Sequence, residues 1–399
     1  VIVSINYYVL KLKRHTYKYP LLIITVAVLA ACSTKKDRFI NRQFQAMNTK
    51  YNVMYNGNLA LDQGIADLKL KYKDNFWEVL PIERMQIPEE DILPGQTRNP
   101  NFDRAEEKAV KAIQKRSMNI DGEEKNPQID EAHLLLGKAR YYDQRYVPAL
   151  EAFNYILYKY PKSDKIYEAR IWRERTNMRM ENDALAIKNL RQLLAEIKFK
   201  DQVFADANAT MAQAFLNLGE QDSAVAKLKV AIDFTEQDEE KARYRFILGQ
   251  LYEKAGDTEK AAASFNEVIE MKRKSPRRYV LQAQNKLAQQ FDFQKGDTVA
   301  FLEKYNKLLK DRENRPYLDI LNHQMALYYD NQKNYDKAIT YYNKSLKSPT
   351  EDLYLLASNY RNLADIYFDK AKYQDAGLYY DSTMVSMNPR TREYKYVKK

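Results

Sequence analysis

The fold of this chain is decided by "LGKARYYDQRYVPALEAFNYILYKYP", Leu136–Pro161. A small residue, Gly137, is followed twelve positions later by Ala149, and four positions after that by a ring, Phe153. Two helices pressed together at small residues approach closely, and a large side chain one turn away fills the groove beside that contact. The frame recurs at Ala149, Ala186, Ala224, Ala261, Ala300, Ala338 and Ala376, spaced 37 to 39 residues apart. Twelve residues ahead of each stand Gly137, Glu174, Ala212, Gly249, Ala288, Ala326 and Ala364, all small except Glu174. Phe153, Leu190, Leu228, Phe265, Tyr342 and Tyr380 take the large position. The fifth unit has Lys304 there, with Phe301, Leu302 and Tyr305 expected to compensate.

This frame resembles the tetratricopeptide repeat, in which a Leu-Gly pair and an aromatic sit on helix A, an alanine and an aromatic on helix B, and a proline closes the unit. The resemblance implies an all-α, right-handed superhelical solenoid of about seven repeats over 130–390, with units longer than the usual length of about 34 residues. Composition agrees. Only 10 Gly and 12 Pro interrupt 399 residues of which 30% are charged, as a chain of helices requires. Turn signals fall between the expected helices, at Ala255–Lys260, Lys295–Thr298 and Asn331–Asp336. Pro148 falls in the first turn of its helix, where a missing N–H costs little.

Residues 1–31 read as an export leader. Lys11, Lys13, Arg14 and Lys18 precede "LLIITVAVLAA", an apolar run shorter than the roughly 20 residues a spanning helix needs. The run ends at Leu29-Ala30-Ala31-Cys32, which resembles the lipobox of bacterial lipoproteins, so Cys32, the single cysteine, is the expected lipidation site. Removing the leader leaves 61 basic against 54 acidic residues, a mild and dispersed net charge of +7. Several acyl chains anchor firmly where one is marginal. Ser33 after the cysteine, by resemblance to lipoprotein sorting, implies the outer membrane. Residues 32–80 are expected to form a helical hairpin turning at Asn56-Gly57. Residues 81–129 form a proline-bearing strap (Pro81, Pro88, Pro94, Pro100) followed by a single helix, Asn101–Arg116, with Asn101 as its cap. Residues 391–399 form a basic tail.

Chemistry is hard to find. There is no nucleophile elbow, P-loop, dinucleotide glycine pattern or H-E-x-x-H, and acidic pairs such as Glu239-Glu240 read as solvated surface. One cysteine excludes an internal disulfide, and His15, His133 and His323 are scattered, so no metal site, cofactor or catalytic residue is expected. Tyrosine pairs such as Tyr141-Tyr142 and Tyr379-Tyr380 read as packing between hairpins with the hydroxyl left at the surface. An exported protein without a basic cluster of groove size is a poor nucleic-acid binder, and no small-molecule substrate is expected. "ARIWRERTNMRM" concentrates arginines on one helix A, with Arg175 and Arg179 on one face, a groove suited to an acidic segment. Projecting the frame puts Lys138, Gln213, Gln250, Glu253, Asp330, Arg361 and Asp365 on the same partner-facing side. Solenoid grooves of this kind take peptides and proteins.

"NTKYNVMYNGNLALDQGIADLKLKYKDNFWEVLPIE", Asn48–Glu83, resembles the segment after the lipobox in the SprE/PorW lipoproteins of Bacteroidota. Tyr51, Asn52, Tyr55, Asn56 and Gly57 carry the resemblance, with Tyr55 where phenylalanine is common; Asp74, Leu80 and Pro81 close it. It implies a periplasm-facing scaffold of the type IX secretion and gliding machinery, whose partners are the periplasmic ring and the outer-membrane translocon. Two alternatives stay open from sequence. "FNYILYKYPKSDKIYEAR", Phe153–Arg170, resembles the outer-membrane assembly lipoprotein of the BamD kind, and a SusD-like glycan-binding lipoprotein also combines these repeats with a lipobox.

Overall fold

A computed structural model describes residues 33–85, 99–292 and 296–387; the leader, Cys32, Pro88, Pro94 and the basic tail lie outside the described residues. The fold is all-α, a tetratricopeptide-repeat solenoid. It divides into two compact units, one running to Lys73 and from Glu83 to Glu220, the other combining Asp74–Ile82 with everything from Gln221 onward.

The first unit holds α1 (Phe39–Met47), a π-helical stretch (Asn48–Met54), α2 (Tyr55–Lys71), α3 (Pro100–Arg116), a two-residue β-hairpin, α4 (Ile129–Tyr142), α5 (Tyr146–Lys159), α6 (Ile166–Arg179), α7 (Asp183–Glu196) and α8 (Gln202–Asn217). The second holds α9 (Gln221–Phe234), α10 (Asp238–Lys254), α11 (Thr258–Glu270), α12 (Arg277–Gln289), α13 (Thr298–Lys310), α14 (Leu318–Asn331), α15 (Tyr335–Lys347), α16 (Leu353–Asp369) and α17 (Tyr373–Ser386).

The small-to-large contact is as tight as the spacing requires. A Cβ on Gly137 would stand 2.4 Å from the Phe153 ring, and one on Gly249 would stand 2.6 Å from Phe265. Ala149, Ala186, Ala224, Ala261, Ala338 and Ala376 are all buried. In the second repeat the large partner is Leu190 rather than a ring, and the volume at the glycine position is taken by Glu174. That carboxylate is buried but well supplied, accepting from Arg173 Nε (2.6 Å), Asn177 Nδ2 (2.7 Å) and Asn189 Nδ2 (3.1 Å).

Three expectations are corrected. First, Asn56-Gly57 is no turn: the backbone is helical from Phe39 to Lys71. Gly57 is glycine because Leu135 and the Lys108 Cβ pass within 2.6 and 3.1 Å of where a Cβ would sit. Asn56 Nδ2 donates to Asn52 O one helical turn back, and Tyr51 and Tyr55 are exposed. Second, Pro100–Arg116 is not a lone helix but the partner of α2, and its cap is Asn99, whose Oδ1 accepts from Asn101 N. A Cβ on Gly64 would lie 2.5 Å from Phe102, the same contact as Gly137 with Phe153. Residues 72–99 are therefore inserted between the two helices of one hairpin. Third, Ala300 is exposed in α13 rather than buried; Lys304 is exposed as well, and, as expected, Phe301 and Tyr305 compensate by facing inward one position later, the Tyr305 hydroxyl donating to Gln284 O. A ring stack, Phe301 on Tyr328 at 5.1 Å, replaces the small-residue contact.

No helix among the described residues is long and apolar enough to cross a membrane.

Candidate functional site

After α2 the chain leaves helical geometry, and its described part ends at Met85. Residues 74–82 lie against helix-A faces of the second unit, held largely by their backbone. Gln250, one position after the small Gly249, accepts from Leu80 N (3.0 Å) through Oε1 and donates to Glu78 O (2.6 Å) through Nε2. Arg243, six positions before Gly249, donates to Pro81 O (2.7 and 2.9 Å) and Ile82 O (3.1 Å). Its remaining nitrogen reaches Asp74 at 2.8 Å and the Tyr279 hydroxyl at 2.6 Å. Neither side chain of the Arg243–Asp74 pair is accessible beyond 1%. Burial disfavours the arginine's charge, but Tyr279 and Asp74 outweigh it and hold its pKa above the ordinary value.

Apolar contacts complete the seat. Phe76 meets Phe246 edge-on at 5.4 Å and lies 6.0 Å from Tyr279. Trp77 donates through Nε1 to Asp352 (3.1 Å) and stands 6.5 Å from the His323 ring. Burial pushes His323 below its ordinary pKa, and its Nδ1 pairs with Asn359 Oδ1 at 2.8 Å. Leu80 and Ile82 are buried.

In the first unit, residues 83–85 do the same on a smaller scale. Glu83 accepts from the Tyr141 hydroxyl (2.6 Å) and from Arg179 (3.1 Å), which also donates to Tyr141 (3.1 Å). Met85 packs in the cluster around Phe153 and Trp172. Burial opposes the charge of Arg179 too, and Tyr141 and Glu83 reverse that and raise its pKa. Arg175 lies with its guanidinium 4.6 Å from the Trp172 ring centre and donates to Thr210 Oγ1; burial works against its charge, and Glu83 leads the groups that raise its pKa.

The other sequence-selected positions scatter. Lys138 is paired with Glu168 and lies 5.3 Å from the Trp172 ring centre. Gln213 donates to Asn217 along its own helix, and Glu253 pairs with Lys286 at 2.8 Å. Asp330 and Asp365 accept from Tyr342 and Tyr380, hydroxyls of the following helices, and Arg361 is half-buried. Tyr51, Asn52, Tyr55, Asn56 and Gly57 belong to the first unit, on the helical run through α2. Cys32 is outside the described residues. Arg243, the most deeply engaged groove residue, was missed. Its only sequence signal is a cation at the frame position where the next two repeats carry Gln282 and Ile320. No group of three or more potential metal ligands occurs among the described residues.

Models of the tetratricopeptide repeat match residues 131–163, 242–275 and 321–351. No protein of curated function matches this chain. Among solved structures, a tetratricopeptide repeat protein from Parabacteroides merdae is similar at 15% identity and a TM-score of 0.44, over 67% of this chain and 96% of that one. The C-terminal part of a repeat-containing protein from Cytophaga hutchinsonii is similar at 16% identity and a TM-score of 0.41, over 75% and 95%. Repeats of this kind suggest a protein-interaction scaffold.

Proposed function

We propose that this chain is an outer-membrane lipoprotein, facing the periplasm and anchored through Cys32, that serves the type IX secretion and gliding machinery as a non-catalytic scaffold between the periplasmic ring and the translocon. The observation that carries the scaffold half is the seat around Gln250 and Arg243, which grips a non-helical stretch by its main chain, the chemistry a peptide-holding groove needs. The membrane and secretion half is supported by the leader ending in Leu29–Cys32 and by the Asn48–Glu83 resemblance.

A deletion strain tests the setting. Proteins bearing the system's C-terminal signal should accumulate unsecreted, and detergent-solubilised membranes should yield the ring or translocon with the tagged chain. Normal secretion in that strain defeats the proposal, as does recovery of the barrel-assembly barrel or a TonB-dependent transporter instead. A Cys32→Ala variant should leave the outer-membrane fraction; retention there defeats the anchor.

A further inference from the structure

The helical run from Phe39 through α2 turns one side inward and leaves the other bare. Gln45, Thr49, Val53, Gly57 and Leu61, four positions apart, are buried. Two positions on, about half a turn around a helix, stand Met47, Tyr51, Tyr55 and Leu59, 44% to 63% exposed. The bare row reaches upstream to the exposed Phe39. By contrast α3 and α4, which pack on α2, expose no large apolar side chain. Charge follows the same stretch. From Ser33 to Leu61 the bases are Lys35, Lys36, Arg38, Arg42 and Lys50, and the single acid is Asp37, which Arg42 engages at 3.2 Å. The asparagines beside the row spend their amides within the helix. Asn48 Nδ2 donates to Phe44 O (3.0 Å), Asn52 Nδ2 to Asn48 Oδ1 (2.9 Å) and Asn56 Nδ2 to Asn52 O (2.9 Å). Taking them out of water therefore costs less than burying unbonded amides. Ser33, the residue after Cys32, is tied to the run, its carbonyl accepting from Nδ2 of the buried Asn41 at 3.0 Å.

We propose that this bare side is a lipid-facing surface, which lies against a leaflet containing anionic phospholipid. Met47, Tyr51, Tyr55 and Leu59 enter the boundary between headgroups and acyl chains, and Lys35, Lys36, Arg38 and Lys50 meet headgroup phosphates. Lipid is the occupant for three reasons. Bases with one acid among them complement an anionic leaflet. Tyrosine suits the boundary, with an apolar ring and a hydroxyl that stays wet. The tie from Ser33 to Asn41 leaves little slack between Cys32 and α1, so acyl chains on the cysteine hold this helix at the membrane. The inference deepens the lipid-anchor half of the proposed function and rests on it for the third reason alone. By itself such a face binds weakly and reversibly, and a second signal makes the attachment firm. A chain without the anchor is therefore still washed off the membrane.

The test uses the chain from Ser33 to Lys399, which keeps every described residue and carries neither leader nor lipid, with vesicles of phosphatidylethanolamine and phosphatidylglycerol. In co-sedimentation at low salt it should bind them about tenfold more tightly than vesicles of phosphatidylcholine. The double variant Tyr51→Asp, Tyr55→Asp should lose about tenfold in that binding, and Tyr51→Phe should keep it. Both tyrosines are exposed, so their variants keep the fold. Val147→Asp with Tyr158→Asp makes the same charge change at exposed positions of α5 and should cost no more than about twofold. Three results overturn the inference. They are no binding to the anionic vesicles, equal loss in the α5 control, or a dimer in sedimentation equilibrium that Tyr51→Asp dissolves, which gives the face to a second copy. The anchor fails separately: retention of full-length Cys32→Ala in the outer-membrane fraction defeats it, while vesicle binding that follows Tyr51 and Tyr55 upholds the face.

Discussion

Arg243 and Arg179 do the same job in the two units, each clasping a piece of one inserted segment, yet they work in different surroundings. Arg243 is dry: the pair with Asp74 is inaccessible on both sides, and every nitrogen of the guanidinium has a carbonyl, hydroxyl or carboxylate to meet. Arg179 and Glu83 keep 31% and 23% of their side-chain surface in water. The lesson is about which loss hurts. A buried cation whose partner is removed cannot be rescued by solvent, whereas water replaces much of what a half-wet pair gives up. The interior pair is accordingly expected to lock its unit, and the wetter one to trim the fit.

That contrast can be broken by mutation. Arg243→Met removes the nearest donor of the buried Asp74 carboxylate, which keeps only the Tyr279 hydroxyl at 3.3 Å and Arg278 at 3.8 Å, and strips two backbone carbonyls; it should destabilise the second unit by about 3–5 kcal/mol in urea unfolding. It should also open residues 74–82 to limited proteolysis. Arg179→Met should cost about 1 kcal/mol in the same measurement. Equal effects would show that the burial difference does not matter.

A smaller effect concerns acid. Burial depresses His133 from its ordinary value to about 4, and its ring lies 4.4 Å from that of Tyr155. A histidine whose folded pKa is lowered binds its proton more readily when unfolded, so stability falls as pH drops from about 6.5 toward 4. The loss attributable to His133 should be on the order of 2 kcal/mol. His133→Gln should flatten the dependence of the first unit's unfolding midpoint on pH over that window. Unchanged slope would remove His133 from the comparison.

The repeat frame was legible in the sequence because glycine and alanine at helix crossings are a geometric necessity that one chain displays many times. It failed where a single instance had to be read. Asn56-Gly57 has the composition of a turn, but that glycine serves close approach to Leu135, a contact 78 positions away that local chemistry does not reveal. Ala300 sat correctly in the count, yet the rings of Phe301 and Tyr305 bury more surface one step along and rotate the helix to suit. The inserted segment was visible as prolines and loose composition. Its seat was not, because Trp77 and Asp352 are brought together only by the fold. Of the groove positions, Gln250 and Arg179 meet the segment directly, whereas Gln213, Asp330 and Asp365 are bonded to their own helix or to the next one.

The insertion of residues 72–99 between α2 and α3 also orders events in time. Helical hairpins form from neighbours and can assemble early, one on the next. Residues 74–82 have no such neighbour. Their anchors, Arg243, Gln250, Tyr279 and Asp352, lie from roughly 160 to 275 positions downstream, and a chain that appears N-terminus first must present Phe76, Trp77, Leu80 and Ile82 to solvent until those are made. The closing of this loop is thus a nonlocal step, expected to follow the assembly of the hairpins. It is also the interval in which the apolar stretch is open to capture by chaperones or by other chains.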